Sequence, residues 1–405
     1  MMTRRVKLVM YPKLQKLRHS GYAMLYVLVG MLRPLRKNSV ILVTNRSNAL
    51  TGNLKFIYDK LDKKRYSVRK FVIPGPSAHV WSRATQTARM IVAMAQTQYT
   101  LVDDFLSAVY TIRLRPGARL IQVWHASGAL KRIGYSRAGT SGAPVETSVS
   151  HKNYTDVIVS AEAVRGSYAE AFGVPLSIVH ATGAPRSDLF FDRGEQSRVI
   201  GRLYQRLPVL EGRRVILFAP TFRGRGRGDA HYPETFIDLT SLGAALGDND
   251  LLIVKMHPFV KSRFRIPPAL KGKIIDLSDY PEINDLLLIC DLLITDYSSV
   301  IFDFALLARP VVFYVPDIGE YQVERDFFFD FDEYAYGPVV CDFDSLLKTL
   351  DLADVDVDRL TSFDEKFISA CDGHATERFC ATILDENRVP PVMAGTSDAQ
   401  CWGSI

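Results

Sequence analysis

Cysteine is scarce in this sequence, and its pattern disfavours two common ways of stabilising a fold. Only five of the 405 residues are cysteines, all late in the chain and none in a CxxC pair: Cys290, Cys341, Cys371, Cys380 and Cys401. An odd number of such residues favours reduced thiols in a cytosolic protein over a disulfide framework. A structural zinc site is also disfavoured, because no cysteine stands at a ligand-like spacing from a histidine.

Long hydrophobic runs and early acidic residues are lacking too. The apolar stretch GYAMLYVLVGML (21–32) has 12 residues, whereas a membrane-spanning helix needs roughly 20. No small-residue cleavage site follows it, which argues against a signal peptide. No acidic residue precedes Asp59. We expect residues 1–38 to form a basic amphipathic helix on an anionic membrane surface, and the alternative is a packed helix with a solvated basic face.

Several catalytic motifs are absent, and each absence disfavours a class of enzyme. The sequence contains no Walker A motif, no GxGxxG after its first predicted strand, no HExxH and no GxSxG. Kinases, ordinary NAD-dependent dehydrogenases, zincins and α/β-hydrolases are therefore disfavoured.

What is present is a repeated alternation of apolar, β-branched runs with segments of helical spacing. Apolar residues make up 47% and charged residues 23% of the chain, which excludes wholesale disorder. The predicted strands are 39–45, 66–73, 99–104, 119–124, 155–161 and 177–183, then 213–220, 251–258, 272–278, 291–296 and 310–317. The alternation predicts an α/β protein with helix-covered parallel sheets.

The two series of strands predict two Rossmann-like doubly wound domains that face a central cleft. The length suits two domains of about 150–200 residues each. We place an acceptor-side domain at 39–191, a donor-binding domain at 192–390 and a polar tail at 391–405.

Two histidines stand at the ends of predicted strands, one in each half. His125 ends the strand in IQVWHASG, and His257 ends the strand in LLIVKMHP. Doubly wound sheets bind ligands at the carboxyl ends of their strands, and Pro258 cannot continue a strand ladder. One such histidine is more often structural, but two from opposite halves favour a catalytic cleft.

The second half also contains groups suited to an anionic ligand. In ITDYSSVIFDFALLA (294–308), Ser298 and Ser299 begin a helix whose N–H groups and dipole favour phosphate, although an ordinary N-cap looks the same. Asp303 lies on the same helix face as Ser299. Its carboxylate in an apolar segment needs a partner, either a ligand or a structural cation.

Basic segments follow other strands. FAPTFRGRGRGDAHYP (218–233) contains three Arg-Gly repeats, which predict a mobile basic loop. Its charge suits RNA, a phosphate polymer or a membrane surface, and handling of phosphate agrees with the other features. This tract is too short to favour nucleic acid as a partner. In GAPRSD (183–188), Arg186 and Asp188 suit either a ligand site or an internal ion pair. Further positive charge lies close to His125, at Lys131, Arg132 and Arg137.

Taken together, these segments resemble the CDP-glycerol glycerophosphotransferases, which build teichoic acids and related polymers of glycerol or ribitol phosphate. The resemblance covers about 118–380 and rests on VWHASGALKRIG, APRSD, ILFAPTFR, KMHP, LLITDYSSVIFDFALLARPVVFY, RDFFFDFDEYAYGP and DGHATER. Each segment alone is weak, but their order and spacing are specific. The resemblance implies a GT-B-like fold, a CDP-linked donor and peripheral attachment to the cytoplasmic face of the cell membrane.

The resemblance also implies the roles of particular residues. His125 and His257 correspond to two catalytic histidines. The implied substrate-binding positions are Ala126, Ser127, Gly128, Ala129, Arg186, Pro220, Thr221, Lys255, Met256, Ser298, Ser299 and Asp303. This chain has His-Ala-Ser-Gly-Ala-Leu-Lys where the familiar motif is His-Gly-Thr-Pro-Leu-Lys. The loop is one residue longer, so the N–H that would contact phosphate after His125 stays open.

The implied reaction is attack of an acceptor hydroxyl on the glycerol-bearing phosphorus of CDP-glycerol, with release of CMP. We expect His125 to be the general base, since an unperturbed imidazole titrates near pH 6.5, and His257 to stabilise or protonate the pyrophosphate. The expected acceptor is a lipid-linked or polymeric polyol phosphate or glycan at an anionic membrane surface. No cofactor, metal or nucleic-acid partner is expected.

Three alternatives remain open. The donor is CDP-ribitol in the first, and a sugar nucleotide used by a GT-B glycosyltransferase in the second. In the third, the chain is a non-enzymatic module that binds anionic polymers at a membrane surface. That module would need the basic N-terminus but not a histidine at a strand end in each half.

Overall fold

The computed structural model describes residues 4–75, 79–139, 144–145, 148–224, 226 and 228–384, with side chains from residue 17 onward. The predicted tail 391–405 and Cys401 lie outside these residues. Two six-stranded sheets form the body of the molecule, which confirms the predicted α/β class. None of the described helices is both long enough and apolar enough to cross a bilayer.

The first sheet is parallel throughout and has the order β2-β1-β3-β4-β5-β6. Its strands are β1 (Arg36–Thr44), β2 (Ser67–Val72), β3 (Thr97–Val102), β4 (Arg119–Gln122), β5 (Asp156–Ile158) and β6 (Val179–His180). The last six residues of β1 are buried, as expected for a central strand with helices on both faces. The strand order reverses between β1 and β3, which makes that crevice the switch point of the sheet.

The second sheet is also parallel and has the order β12-β11-β10-β7-β8-β9. Its strands are β7 (Arg214–Phe218), β8 (Asp250–Val254), β9 (Ile274–Asp276), β10 (Leu292–Thr295), β11 (Val311–Tyr314) and β12 (Val339–Val340). Here the order reverses between β7 and β10. The two-residue β12 was not predicted, because so short a strand shows no periodicity.

The helices cover the sheets and connect their strands. They are α1 (Arg4–Leu32), α2 (Gly52–Lys60), α3 (Val80–Met94), α4 (Arg165–Phe172), α5 (Arg193–Arg206), α6 (Leu239–Ala245), α7 (Ile283–Leu288), α8 (Val300–Ala305), α9 (Ile318–Arg325), α10 (Phe343–Thr349), α11 (Val357–Phe367) and α12 (Ala375–Ile383). Local chemistry sets several of their ends. Asp192 caps α5 by accepting from the N–H of Glu195, worth about 1 kcal/mol. Gly173 ends α4 with a φ of +62°, which glycine adopts readily.

The two halves are joined by more than the linker helix α5. The last helix, α12, packs on the first sheet, where Phe379 and Ile383 share a hydrophobic cluster with Val40 and Leu42. The carbonyl of Leu384 accepts a hydrogen bond from the hydroxyl of Tyr66 at 3.1 Å. The described chain therefore crosses back to the first half after completing the second sheet.

A loop of the first half is also bound to the second half. The carbonyl of Ala129 accepts from the hydroxyl of Tyr334 at 2.6 Å, and the carbonyl of Leu130 accepts from the N–H of Phe328 at 3.0 Å. The N–H of Arg132 donates to the carbonyl of Asp326 at 3.2 Å. The loop that follows β4 is thus positioned by both halves.

The N-terminal helix is longer than its apolar run, at 29 residues. Tyr22 and Tyr26 are buried in the core. The opposite side exposes an apolar stripe that consists of Leu17, Met24, Val27, Leu28, Met31 and Leu32. From residue 17 onward, α1 is therefore packed on one side, and its exposed side is mainly apolar. The alternative of a packed helix with a solvated basic face does not describe this part of α1.

Candidate active site

The His125 ring stands three residues beyond the end of β4, on a constrained backbone. Trp124 has a φ of +49°, which is uncommon for a residue other than glycine and costs about 1–3 kcal/mol. Asn53 Nδ2 holds this turn by donating to the carbonyls of Val123 at 2.8 Å and Trp124 at 3.1 Å. The rings of Trp124 and His125 stack with centroids 4.4 Å apart. These contacts orient the His125 ring.

Hydrogen bonding and burial prepare His125 to accept a proton. Its Nδ1 lies 3.1 Å from the carbonyl oxygen of Asp103, and since a carbonyl only accepts, Nδ1 carries the proton and Nε2 is the basic nitrogen. Burial lowers the pKa of His125 well below 6.5, and the charges of Arg46, Arg186 and His257 lower it further. The ring is therefore neutral at pH 7. The influence of His257 means that the two histidines are close enough to interact.

The small residues after His125 are largely engaged in packing. Gly128 has a φ of +64°, and a Cβ there would lie 2.3 Å from the Phe302 ring of the second half. Its N–H donates to Ser160 Oγ at 2.8 Å. The hydroxyl of Ser127 donates to Asp303 at 2.9 Å. Ser127, Gly128 and Ala129 are buried, whereas Ala126 remains partly exposed.

Asp303 has the partners that its apolar surroundings require: Ser127 and Arg186 of the first half and Asn284 of the second. Its Oδ1 accepts from Ser127, and its Oδ2 accepts from Arg186 Nη2. Arg186 Nη1 also donates to the carbonyl of His125 at 2.6 Å. Burial raises the pKa of the Asp303 carboxyl, while Arg186 and Ser127 oppose that rise. The pair joins the two halves directly behind the His125 turn.

Thr221 lies at the switch point of the second sheet, just beyond Pro220. Its N–H donates to Asp296 Oδ1 at 2.7 Å, which links the ends of β7 and β10. Its hydroxyl accepts from Lys131 Nζ at 3.0 Å. Thr221 and Pro220 are buried.

Arg223 shows that the Arg-Gly segment is not mobile throughout. Its guanidinium contacts both oxygens of Asp317, at 2.6 and 2.8 Å, and Asp296 Oδ2 at 2.9 Å. Only 7% of the Arg223 side chain is exposed. The prediction of a mobile basic loop is wrong for Arg223, because two buried carboxylates hold it, and Arg225 and Arg227 lie outside the described residues.

His257 stands three residues beyond β8, in the position that His125 has beyond β4. Its Nδ1 accepts from the N–H of Phe259 at 3.2 Å, so Nε2 carries the proton of the neutral ring. The preceding side chains point into the protein. Lys255 Nζ donates to the carbonyl of Ser278 at 2.9 Å, burial lowers the pKa of Lys255, and Met256 is 2% exposed in the core.

Ser298 and Ser299 precede the six-residue helix α8 and are partly exposed. Ser299 occupies the N-cap position with helical backbone angles, and its side chain makes no capping bond. Ser298 Oγ accepts weakly from the N–H of Val300 at 3.4 Å. The structure therefore leaves both hydroxyls near the carboxyl end of β10.

Sequence reasoning missed a charged group at the switch point of the first sheet. Arg46 follows β1, while Asp103 and Asp104 follow β3, and Arg46 lies 3.7 Å from Asp104. Burial raises the pKa of Asp103 to about 7, and Arg46 opposes the rise. These residues stand at strand ends in the segments TNR (44–46) and VDD (102–104). Inspection of strand ends, which located His125 and His257, would therefore have found them too.

Glu282 was missed for a different reason. It precedes α7 in the second half and accepts a hydrogen bond from the N–H of Gly52 in the first half. Arg186 and Arg46 lie close enough to lower its pKa, although burial dominates and raises it. No strand end marks Glu282 in the sequence. In the part of the chain that the structure describes, no cluster of three or more His, Cys, Asp or Glu side chains could hold a metal ion.

Comparison with known proteins shows that this chain is similar to proteins named for teichoic acid synthesis. The CDP-Glycerol:Poly(glycerophosphate) glycerophosphotransferase family matches residues 25–385. A teichoic acid poly(ribitol-phosphate) polymerase of Bacillus spizizenii is 38% identical over 365 residues, which cover 90% of this chain and 59% of the polymerase. The chain thus spans about three fifths of that relative. A teichoic acid glycerol-phosphate transferase of Staphylococcus aureus is 32% identical over 283 residues, 66% of this chain and 72% of the transferase.

The fold also has a counterpart among solved structures. The wall teichoic acid polymerase TagF superimposes with a TM-score of 0.72 at 21% identity, over 90% of this chain and 94% of that chain. The shared architecture is two parallel α/β domains of GT-B type.

Proposed function

This chain belongs to the CDP-glycerol:poly(glycerophosphate) glycerophosphotransferase family, and on that basis we propose that it transfers a polyol phosphate from a CDP-linked donor to an acceptor hydroxyl. CMP is the other product, and the growing molecule is teichoic acid or a related polymer. One observation carries the proposal: His125 and His257 stand three residues beyond parallel strands of the two sheets, and a charge on His257 lowers the pKa of His125.

We propose CDP-ribitol as the donor, with CDP-glycerol as the alternative. The sequence resemblance alone favoured CDP-glycerol. The relative named as a ribitol-phosphate polymerase is more similar, at 38% identity over 90% of this chain. The relative named as a glycerol-phosphate transferase reaches 32% over 66%. This difference supports ribitol.

In the proposed mechanism the acceptor oxygen attacks the polyol-bearing phosphorus of the donor. The bond between that phosphorus and the bridging oxygen of the pyrophosphate breaks, so CMP leaves with the electron pair. The acceptor proton passes to Nε2 of His125, which is free to take it because Nδ1 is protonated and bonded to Asp103. During this step His257 donates its Nε2–H to the pyrophosphate and so stabilises the negative charge that develops there as CMP leaves.

Five of the twelve predicted substrate-binding residues fall into two groups. Ala126, Ser298 and Ser299 are partly exposed and suit direct contact with phosphate. Arg186 and Asp303 are bonded to each other, and Arg186 also binds the His125 carbonyl. They therefore suit positioning of the His125 turn.

The acceptor is proposed to be a lipid-linked or polymeric polyol phosphate at an anionic membrane. The exposed apolar stripe of α1 supports attachment to such a surface, since it ends beside exposed Arg33, Arg36 and Lys37. Apolar side chains that enter the acyl region, together with cations at the headgroups, form a typical interfacial anchor. The cytoplasmic face follows from the proposal, because teichoic acid precursors are nucleotide-linked.

The test is CMP release by the full-length protein from CDP-ribitol and CDP-glycerol, each with a lipid-linked polyol phosphate acceptor, followed by sizing of the product. We expect CMP with both, and a higher kcat/KM with CDP-ribitol. A higher value with CDP-glycerol would reverse the donor assignment. Release of UDP or GDP from a sugar nucleotide, with no turnover of either CDP-polyol, would favour the glycosyltransferase. Binding without any turnover would favour the non-enzymatic module.

A further inference from the structure

Lys131 belongs to the loop of the first half, but its side chain lies at the switch point of the second sheet. Its backbone pairs with Phe327 in an antiparallel bridge. Its Nζ donates to Thr221 Oγ1 at 3.0 Å. Thr221 in turn donates to Asp296, so the ammonium lies at the ends of β7 and β10. Doubly wound sheets bind their ligands at this kind of crevice.

The charges on the second half balance one another beside Lys131. Arg223 already contacts Asp296 once and Asp317 twice. Arg325 is a further cation near Nζ, and it donates to the carbonyl of Gly224. The ring of Tyr321 lies 5.4 Å from Nζ, and Tyr297 donates to Asp317 at 3.1 Å. Arg223 and Arg325 thus match the two carboxylates, and only the ammonium form of Lys131 adds a positive charge.

The residue after Lys131 on its loop is a cation held by two exposed carboxylates. Arg132 is paired with Glu170 at 3.2 Å and Asp326 at 2.9 Å. Burial lowers the pKa of Lys131 to about 7; Arg325 and Arg223 add to the fall, and Asp296 opposes it. Above pH 7 the amine is therefore mostly uncharged. An anion placed beside it would favour the ammonium form and draw a proton from solvent.

We infer that Lys131 binds the phosphate groups of the CDP-linked donor, reaching from the first half into the crevice between β7 and β10. The inference rests on the proposed function and adds a residue to its donor site. Donor binding would then bring a solvent proton onto the Lys131 amine, and release of CMP would return it. The same loop carries His125 six residues earlier, so the donor would contact the loop that holds the proposed base.

The experiment is isothermal titration of the full-length protein with CDP-ribitol, CDP-glycerol and CMP at pH 8, in two buffers of different ionisation enthalpy. For the wild type we expect uptake of up to about one proton per donor. Lys131→Met should bind about 10–100-fold more weakly, as for loss of one charged hydrogen bond, and take up no proton. Lys131→Arg should retain most of the affinity and also take up no proton, since arginine stays charged.

Lys348→Met is the matched control, because Lys348 is exposed on α10 and should behave as the wild type does. Unchanged affinity and proton uptake in Lys131→Met would overturn the inference while leaving the proposed function intact. If Lys131→Met does not fold, proton uptake that persists in Lys131→Arg would overturn it. A wild type that binds neither CDP-polyol would overturn the proposed function and this inference together.

Discussion

His125 joins three properties that a general base requires: a defined tautomer, a neutral ring and a rigid orientation. The carbonyl of Asp103 sets the tautomer, burial with nearby cations keeps the ring neutral, and the left-handed Trp124 turn sets its direction. The first two properties come from residues distant in sequence, and the third comes from the adjacent Trp124, whose turn the distant Asn53 holds. At this scale the chemistry depends on the surroundings of the ring as much as on the histidine itself.

Replacing either histidine should affect the reaction and spare the fold. His125→Ala and His257→Ala should each lower the rate of CMP release by about 10²–10⁴. The pKa of His125 is lowered, so falling pH protonates the base only below its ordinary value. The acid limb of the wild-type kcat/KM profile should therefore lie below pH 6.5.

The control for both variants is His374→Ala, because 69% of the His374 side chain is exposed and its loss should leave turnover unchanged. Circular dichroism checks that all three variants fold. Near-wild-type turnover in His125→Ala would show that another group takes the proton.

Among the elements, α1 differs from the other helices in what it leaves exposed. The exposed fractions are 63% for Met24, 78% for Met31 and 79% for Leu32. A contiguous apolar stripe of this kind is unusual on a soluble surface and typically marks an interaction site. Because Tyr22 and Tyr26 already anchor the helix, the stripe can contact a membrane without the helix leaving the protein.

Polar substitutions on this stripe should weaken membrane binding. A fully buried methionine or leucine contributes about 1.5–3 kcal/mol, so Met31→Gln with Leu32→Gln should lower partitioning onto phosphatidylglycerol vesicles by at least about 100-fold. Vesicle sedimentation measures the bound fraction. The control is Val323→Gln with Leu352→Gln, which alters side chains of the second half that are 90% and 79% exposed. Equal binding by both double variants would exclude α1 as the anchor.

At the scale of the whole molecule, the buried pair Asp303–Arg186 joins the halves at the proposed active site. The Asp303 side chain is 1% exposed and that of Arg186 is 14% exposed. Breaking such a pair costs more than losing a surface pair, because one charge remains buried without a partner. The same pair holds Ser127 and the carbonyl of His125.

Asp303→Asn should therefore reduce both stability and rate. We expect a loss of about 3–5 kcal/mol in the free energy of unfolding, measured by urea denaturation, and a lower kcat. Glu333→Gln is the control, because its ion pair with Lys366 is surface-exposed and should cost less than about 1 kcal/mol.

A double variant separates stability from positioning. Asp303→Leu combined with Arg186→Met should recover much of the stability, since apolar replacement of a buried pair is often neutral, but it should not recover the rate. Full recovery of the rate would mean that the pair serves only folding.

The sequence by itself determined the α/β class, eleven of the twelve strands in the described residues and the two histidines beyond such strands. Hydrophobic periodicity and strand ends are local properties, so they can be recognised along the chain. The N-terminal segment was less well predicted, because its apolar and basic residues do not show which side packs.

Only the tertiary structure decided how the site is assembled. Asp303 meets Arg186 across 117 positions and Ser127 across 176, and Lys131 reaches Thr221 across 90. The tertiary structure also shows that Gly128 packs against Phe302 and that the carbonyl of Asp103 sets the tautomer of His125. Such contacts depend on how two sheets face each other, and that arrangement follows from packing of the whole chain rather than from any local pattern.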